Sequence, residues 1–214
     1  MKTALIAGST GLIGQSLLRI LLDSTEYEKV IALVRRPLSI EHPKLNEQVI
    51  DFDNLSDLKS SNSIDDVFCC IGTTIKTAGS QEAFSKVDLS YVIELAEWAK
   101  HYNCKLFSVV SSVGAKPNTS NFYLRTKGQM EDAILQLDIP GVHIFRPSLL
   151  LGKRNEFRLA EKIFEKLMFV LNPLMIGDLR KYRAIKASDV AQAMYNKAQT
   201  NVSGIRIFKG DTIA

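Results

Sequence analysis

The chain has 214 residues, 46% of them hydrophobic, enough to bury one large core and too few for two domains of ordinary size. Its 27 basic and 23 acidic residues leave a net charge of +4, and the Lys and Arg residues are scattered rather than gathered into blocks, which argues against nucleic acid as a partner. Three cysteines without zinc or disulfide spacing argue against a metal or a disulfide scaffold, and the longest apolar stretch, residues 167–176, is interrupted by Asn172-Pro173 and falls far short of a membrane span.

Residues 2–7 form a short aliphatic run with the signature of a strand. Gly8-Ser9-Thr10-Gly11 follows, and then Leu12, Ile13, Leu17, Leu18, Leu21 and Leu22 recur at helical spacing. Residues 29–34, 48–52 and 66–71 read as three further strands. Across residues 82–101, Val87, Tyr91, Leu95, Ala96 and Ala99 mark one amphipathic helix. A fifth strand at 105–110, a helix at 121–137, a sixth strand at 142–145 and a helix at 156–171 come next. A last helix at 185–199 precedes a strand at 205–208. Apolar strands alternating with amphipathic helices predict an α/β fold of a single domain, a doubly wound parallel sheet of Rossmann type, because parallel strands need crossovers and helices usually make them. Residues 148–183 are expected to form a small substrate-side segment within it.

Gly8, Gly11 and Gly14 stand between the first strand and the first helix, where a tight turn brings backbone amides and a helix N-terminus to a pyrophosphate. Ser9 and Thr10 belong to that loop. Glycines also serve plain strand-to-helix turns, so the flanking strand and helix carry the cofactor reading. The second strand ends at Arg35-Arg36, where a site preferring NAD usually has an acid. Two guanidiniums suit a 2′-phosphate, which favours NADP(H), although basic residues are common at solvated strand ends. Asp51 and Phe52, at the end of the third strand, are placed to flank an adenine. The loops at 72–80 and 114–120 follow strand C-termini, where such sheets bind ligands, and Thr73 in the first of them is counted on the cofactor side.

Tyr123 and Lys127 are four positions apart on a predicted helix and so share a face. A phenol is too weak an acid for neutral pH, but a neighbouring ammonium favours the phenolate and makes the tyrosine usable in proton transfer. The fifth strand ends in Ser111-Ser112, either of which can hydrogen-bond a substrate oxygen as charge develops on it. Such a Tyr-x-x-x-Lys pair arises by chance in many exposed helices, and its place after the fifth strand gives it meaning here.

With these residues in place the chain resembles the atypical short-chain dehydrogenase/reductases, and among them the Tat-interacting-protein-like oxidoreductases. The segments that carry the resemblance are GSTGLIG at 8–14, VRR at 34–36, CCIGTTIKTAGSQEAFSKVD at 69–88, SSVGAKPNTSNFYLRTKGQME at 111–131 and FRPSLLLGKRNEFR at 145–158. The resemblance implies cofactor contacts from Thr10, Gly11, Leu12, Ile13, Arg35, Arg36, Ile71, Gly72, Tyr123, Lys127, Leu150 and Arg158, with Tyr123 as proton donor or acceptor. It also suggests that Leu149 and Leu150 approach the nicotinamide end; alternatively they start a core-packed connection. The family's eukaryotic members can be polar at the positions of Leu12 and Ile13, so contacts there would come from backbone amides.

Cys69 and Cys70 are expected on opposite faces of a central strand as buried small hydrophobes, and His42, His101 and His143 have no ligand spacing. The residues 167–171 and 174–176 are expected in the core or a substrate pocket, with a joint between two subunits as the alternative. The function expected is an NADPH-dependent oxidoreductase acting on an unidentified carbonyl or alcohol. The alternative is an NADPH-binding regulator or sensor working through a protein partner. A sugar-nucleotide epimerase or dehydratase ranks last, because roughly sixty residues after Pro147 are few for its substrate region. The sequence leaves the oligomeric state open, a homodimer included. The unpaired cysteines, and an N-terminus that enters a strand at once with no room for a cleavable signal, point to a cytoplasmic location.

Overall fold

The computed structural model describes residues 1–59, 63–151, 183–200 and 202–213. In chain order it contains β1 (Lys2–Ala7), α1 (Leu12–Asp23), β2 (Tyr27–Val34), β3 (Leu45–Val49), a 3₁₀ turn (Phe52–Asp57) and β4 (Asp66–Cys69). Then come α2 (Ile75–Ala78), α3 (Gln81–Ser85), a π-helical turn (Lys86–Ser90), α4 (Tyr91–His101), β5 (Leu106–Val110), α5 (Phe122–Leu135) and β6 (Gly141–Arg146). The chain closes with β7 (Leu150–Leu151), β8 (Ile185–Lys186), α6 (Ala187–Ala198), β9 (Gly204–Lys209) and a 3₁₀ turn (Gly210–Thr212).

Seven strands form one sheet in the order β3-β2-β1-β4-β5-β6-β9, every neighbouring pair parallel, and β7 pairs with β8 in a separate short ribbon. This is the doubly wound Rossmann-type sheet expected from the sequence. The strand order reverses at β1 and β4, which opens a crevice at their carboxyl ends. Every residue of β1 after Lys2 is buried, as parallel strands covered on both faces require.

Alternate residues of the strands feed two apolar layers. Leu5, Ile31, Val67, Phe107 and Ile144 face α4 and α5, which contribute Leu95, Ala99, Met130 and Ile134. Ala4, Ile6, Val30, Phe68 and Phe145 face the other side, where Leu17, Leu18 and Leu21 of α1 meet Val190, Ala191 and Met194 of α6. Cys69 joins the first layer and Cys70 packs on the second, as the two-residue alternation predicts. Burial pushes the Cys69 thiol up to about 12, so it is an inert core group.

The helix expected across residues 82–101 is three pieces: α3, the π turn and α4. The third strand lies earlier than expected, at Leu45–Val49, and Phe52 falls in the 3₁₀ turn instead. The expected helix at 156–171, Arg158, the apolar residues 167–176 and most of the expected substrate-side segment lie outside the described residues.

Candidate functional site

The loop between β1 and α1 is shaped by what its glycines lack. Gly8 has φ +84°, and a Cβ there would lie 2.4 Å from the Cys70 carbonyl carbon, so the loop lies directly against the end of β4. A Cβ on Gly14 would meet the Gly8 carbonyl oxygen at 2.1 Å, which is how the first turn of α1 closes onto the loop. Gly11 occupies the N-cap without a side-chain cap, and the first turn of α1 has no acidic residue. Its first amides and the positive end of the helix dipole are therefore not taken up by a capping carboxylate or hydroxyl. Ser9 is buried, and its Oγ has no hydrogen-bond partner among the described residues. A backbone cradle with no room for side chains, an uncapped helix and an orphaned hydroxyl suit the pyrophosphate of a dinucleotide.

On the far side of the crevice, Lys127 projects from α5 into the protein and pairs with Asp88 at 2.8 Å. Both side chains are buried, 4% and 1% exposed. Burial works against the Lys127 ammonium, but the Asp88 carboxylate and the Tyr123 oxygen outweigh it and hold the lysine above its ordinary pKa. The other Asp88 oxygen accepts the Thr73 amide at 2.8 Å, joining the π turn to the loop after β4. π turns often mark functional positions, and this one points an acid inward that an unbroken helix would rotate elsewhere. Tyr123, one turn before Lys127, is half-buried with its ring 5.7 Å from that of Phe84. Asn121 starts α5 by accepting the Leu124 amide at 3.0 Å, which places Tyr123 in the first turn, at the crevice end of the helix.

The two serines at the end of β5 differ. Ser111 is buried and donates its hydroxyl to Glu131 of α5, which also holds Arg146 at the end of β6 through Nε at 2.9 and 3.1 Å and through Nη2. Ser112 is half-buried, and among the described residues its hydroxyl makes only a 3.4 Å contact to the Val113 carbonyl.

Arg35 and Arg36 are exposed just beyond β2, and neither forms an ion pair among the described residues. The Asp51 carboxylate caps the following 3₁₀ turn through the Asp53 amide at 3.0 Å. Asp51 is exposed, and Phe52 is turned into the core against Tyr91. Thr10, Gly11 and Gly72 are exposed, Leu12 and Thr73 half-buried, and Ile13 and Ile71 buried in the two apolar layers. Leu149 is 45% exposed, whereas Leu150 packs on the second layer.

Sequence reasoning missed Asp88, Glu131 and Arg146. Glu131 had a signal, since it continues the four-residue spacing of Tyr123 and Lys127, and Asp88 closes the segment 69–88. No local pattern announces which charge either one meets.

The sequence profile of the NAD dependent epimerase/dehydratase family matches residues 4–207. The chain belongs to that family. Among curated relatives, Protein HTATIP2 of Rattus norvegicus is 37% identical over 174 residues, covering 78% of this chain and 72% of its own. Protein FMP52, mitochondrial, of Debaryomyces hansenii is 36% identical over 169 residues, with 77% and 74% covered. These relatives bear out the resemblance to atypical short-chain dehydrogenase/reductases. The solved structure of MoeE5 in complex with UDP-glucuronic acid and NAD superposes with a TM-score of 0.73 at 20% identity, over 99% of this chain and 79% of that one, a likeness of fold.

The comparisons correct one expectation. The FMP52 relatives are named mitochondrial, which overturns the cytoplasmic location read from the sequence. The physical reason is that unpaired cysteines exclude only an oxidising compartment and do not tell one reducing compartment from another. No helix among the described residues is long and apolar enough to cross a membrane.

Proposed function

We propose that the chain is an NADP(H)-dependent oxidoreductase that interconverts a carbonyl and an alcohol, with Tyr123 transferring the proton. The observation that carries this reading is the buried Lys127–Asp88 pair one helical turn from Tyr123. A lysine is almost never fully buried without a reason, and breaking even with desolvation takes a good partner. Here the partner keeps an ammonium charged one helical turn from the Tyr123 phenol, an arrangement suited to proton transfer by a tyrosine.

The loop from Gly8 to Gly14 and the uncapped start of α1 support a pyrophosphate contact, and the exposed Arg35 and Arg36 support a 2′-phosphate. Ile71, Gly72 and Thr73 follow β4 and Leu149 follows β6, at the carboxyl end of the parallel sheet, which supports their assignment to the cofactor side. When bound, the nicotinamide supplies the hydride donor or acceptor. Ser112 is assigned to the substrate oxygen, because the Ser111 hydroxyl is committed to Glu131.

The test is a titration with NADPH and NADH, followed by NADPH consumption with a panel of carbonyl compounds, for wild type and Tyr123→Phe. Tighter NADPH binding, with turnover falling about 10²-fold or more in the variant while binding survives, is expected. Tight NADPH binding without wild-type turnover would favour the regulator reading, and no binding of either cofactor would sink both.

A further inference from the structure

Behind the proposed site lies a buried polar network that the proton chemistry does not use. Tyr123, Lys127 and Glu131 follow one another at four-residue intervals and lie along one face of α5. Glu131 is 2% exposed. It takes the Ser111 hydroxyl and the Arg146 guanidinium, so a single carboxylate joins α5 to the ends of β5 and β6. The same strand ends are laced by backbone bonds: the Ser111 amide donates to the Phe145 carbonyl at 2.7 Å and the Val113 amide to the Pro147 carbonyl at 2.9 Å. Ser112 sits between those two amides.

We propose that Glu131 and Arg146 are positioning residues, whose ion pair sets the register of α5 against β5 and β6 and so brings the Tyr123 and Ser112 hydroxyls to one substrate oxygen. This rests on the oxidoreductase reading. Apolar packing through Met130 and Ile134 is non-directional and tolerates small slides of the helix. Forked, charge-assisted bonds are directional and do not. Lys127–Asp88 and Glu131–Arg146, one turn apart, together fix both rotation and translation of the helix that carries the tyrosine. A misplacement of about 1 Å can cost on the order of 10²-fold in rate. Stability alone does not account for the pair, because a buried ion pair is often replaceable by well-packed apolar side chains at no loss.

The experiment compares wild type, Glu131→Gln, Arg146→Lys and the apolar double variant Glu131→Leu/Arg146→Met. It reads kcat and KM for NADPH reduction of phenanthrenequinone, the NADP⁺ dissociation constant and the thermal midpoint. Tyr27→Phe, which loses a hydrogen bond to Asp66 outside the site, controls for loss of stability alone. Expected are a fall in kcat of about tenfold or more in Glu131→Gln, with KM and NADP⁺ affinity held within about threefold, and a double variant that recovers the thermal midpoint without recovering kcat. Tyr27→Phe lowers the midpoint and leaves kcat unchanged. The assignment is overturned if kcat stays within about twofold of wild type in Glu131→Gln, or if kcat returns together with the midpoint in the double variant. Should Glu131→Gln not fold, Arg146→Lys, which keeps the charge and loses the fork, decides by the same kcat criterion. A wild type that binds NADPH but reduces no quinone sinks the oxidoreductase reading and this assignment with it, whereas an active wild type with unimpaired variants sinks this assignment alone.

Discussion

Lys127 Nζ lies 2.8 Å from Asp88 Oδ1, and the partner oxygen of the same carboxylate receives the Thr73 amide. One acid thereby ties the helix bearing Tyr123 to the loop that follows β4. Asp88→Asn keeps the shape and an oxygen for Thr73 but leaves a buried ammonium without its counter-charge. Urea denaturation at neutral pH is expected to show a loss of about 3–5 kcal/mol. The sign of the pH effect follows from the raised lysine pKa. The pair's contribution is complete below the ordinary lysine value and is lost as pH rises through the raised one. In Asp88→Asn, burial is no longer outweighed by the carboxylate, so Lys127 should give up its proton more readily folded than unfolded; the alkaline loss contributed by the pair should vanish and the variant's deficit should narrow as pH rises. An unchanged alkaline limb would show that the pair does not govern it.

His143 gives the opposite limb. It is fully buried in β6, neither ring nitrogen has a hydrogen-bond partner among the described residues, and Phe208 meets it edge-on at 5.4 Å. Burial first, then the Arg206 and Lys197 cations, pull its pKa from 6.5 down to about 4. Between those values the unfolded chain holds more protons than the folded one, so stability falls as pH falls, by on the order of 3 kcal/mol in all. His143→Leu should flatten stability between pH 6.5 and about 4 relative to wild type. Parallel profiles for the two proteins would count against the imidazole as the source.

Cofactor choice is expected to rest on the two guanidiniums after β2. Arg35→Gln and Arg36→Gln should each weaken NADPH binding by about tenfold or more, the scale of a charge-assisted hydrogen bond, and leave NADH binding nearly unchanged. Isothermal titration of both cofactors reads this directly. Equal losses for NADPH and NADH would mean that the arginines hold some part of the dinucleotide other than the 2′-phosphate.

Gly14→Ala probes the cradle without touching charge. Its methyl group would lie 2.1 Å from the Gly8 carbonyl oxygen, so α1 must move away from the loop. Overpacking of this kind costs about 1–3 kcal/mol, and dinucleotide affinity should fall by more than about tenfold as the amides leave their positions. Fluorescence titration with NADPH on the folded variant checks it, and an unaltered affinity would remove the loop from the binding site.

Much of the architecture was legible because it is local. The aliphatic run at residues 2–7 is β1 to the residue, the leucines of α1 lie on the face their spacing marks, and Cys69 and Cys70 part to opposite layers. Boundaries drifted where a capping or packing contact decides them. The predicted third strand ran on to Phe52, but Asp51 starts a 3₁₀ turn there by accepting the Asp53 amide. The apolar spacing of Val87, Tyr91, Leu95 and Ala99 reads as one helix, since a period cannot record the wider turn at Lys86–Ser90 that turns Asp88 inward.

The sequence by itself determined the alternation of strands and helices, the glycine loop before α1 and the shared helix face of Tyr123 and Lys127, because each is written in spacings of a few residues. Only the tertiary structure decided that Lys127 is held by Asp88, that Ser111 is spent on Glu131 while Ser112 is left half-buried, and that Arg146 closes the network. Those pairings join charges far apart in the chain, and which of them meet depends on the strand ends that the parallel crossovers bring side by side.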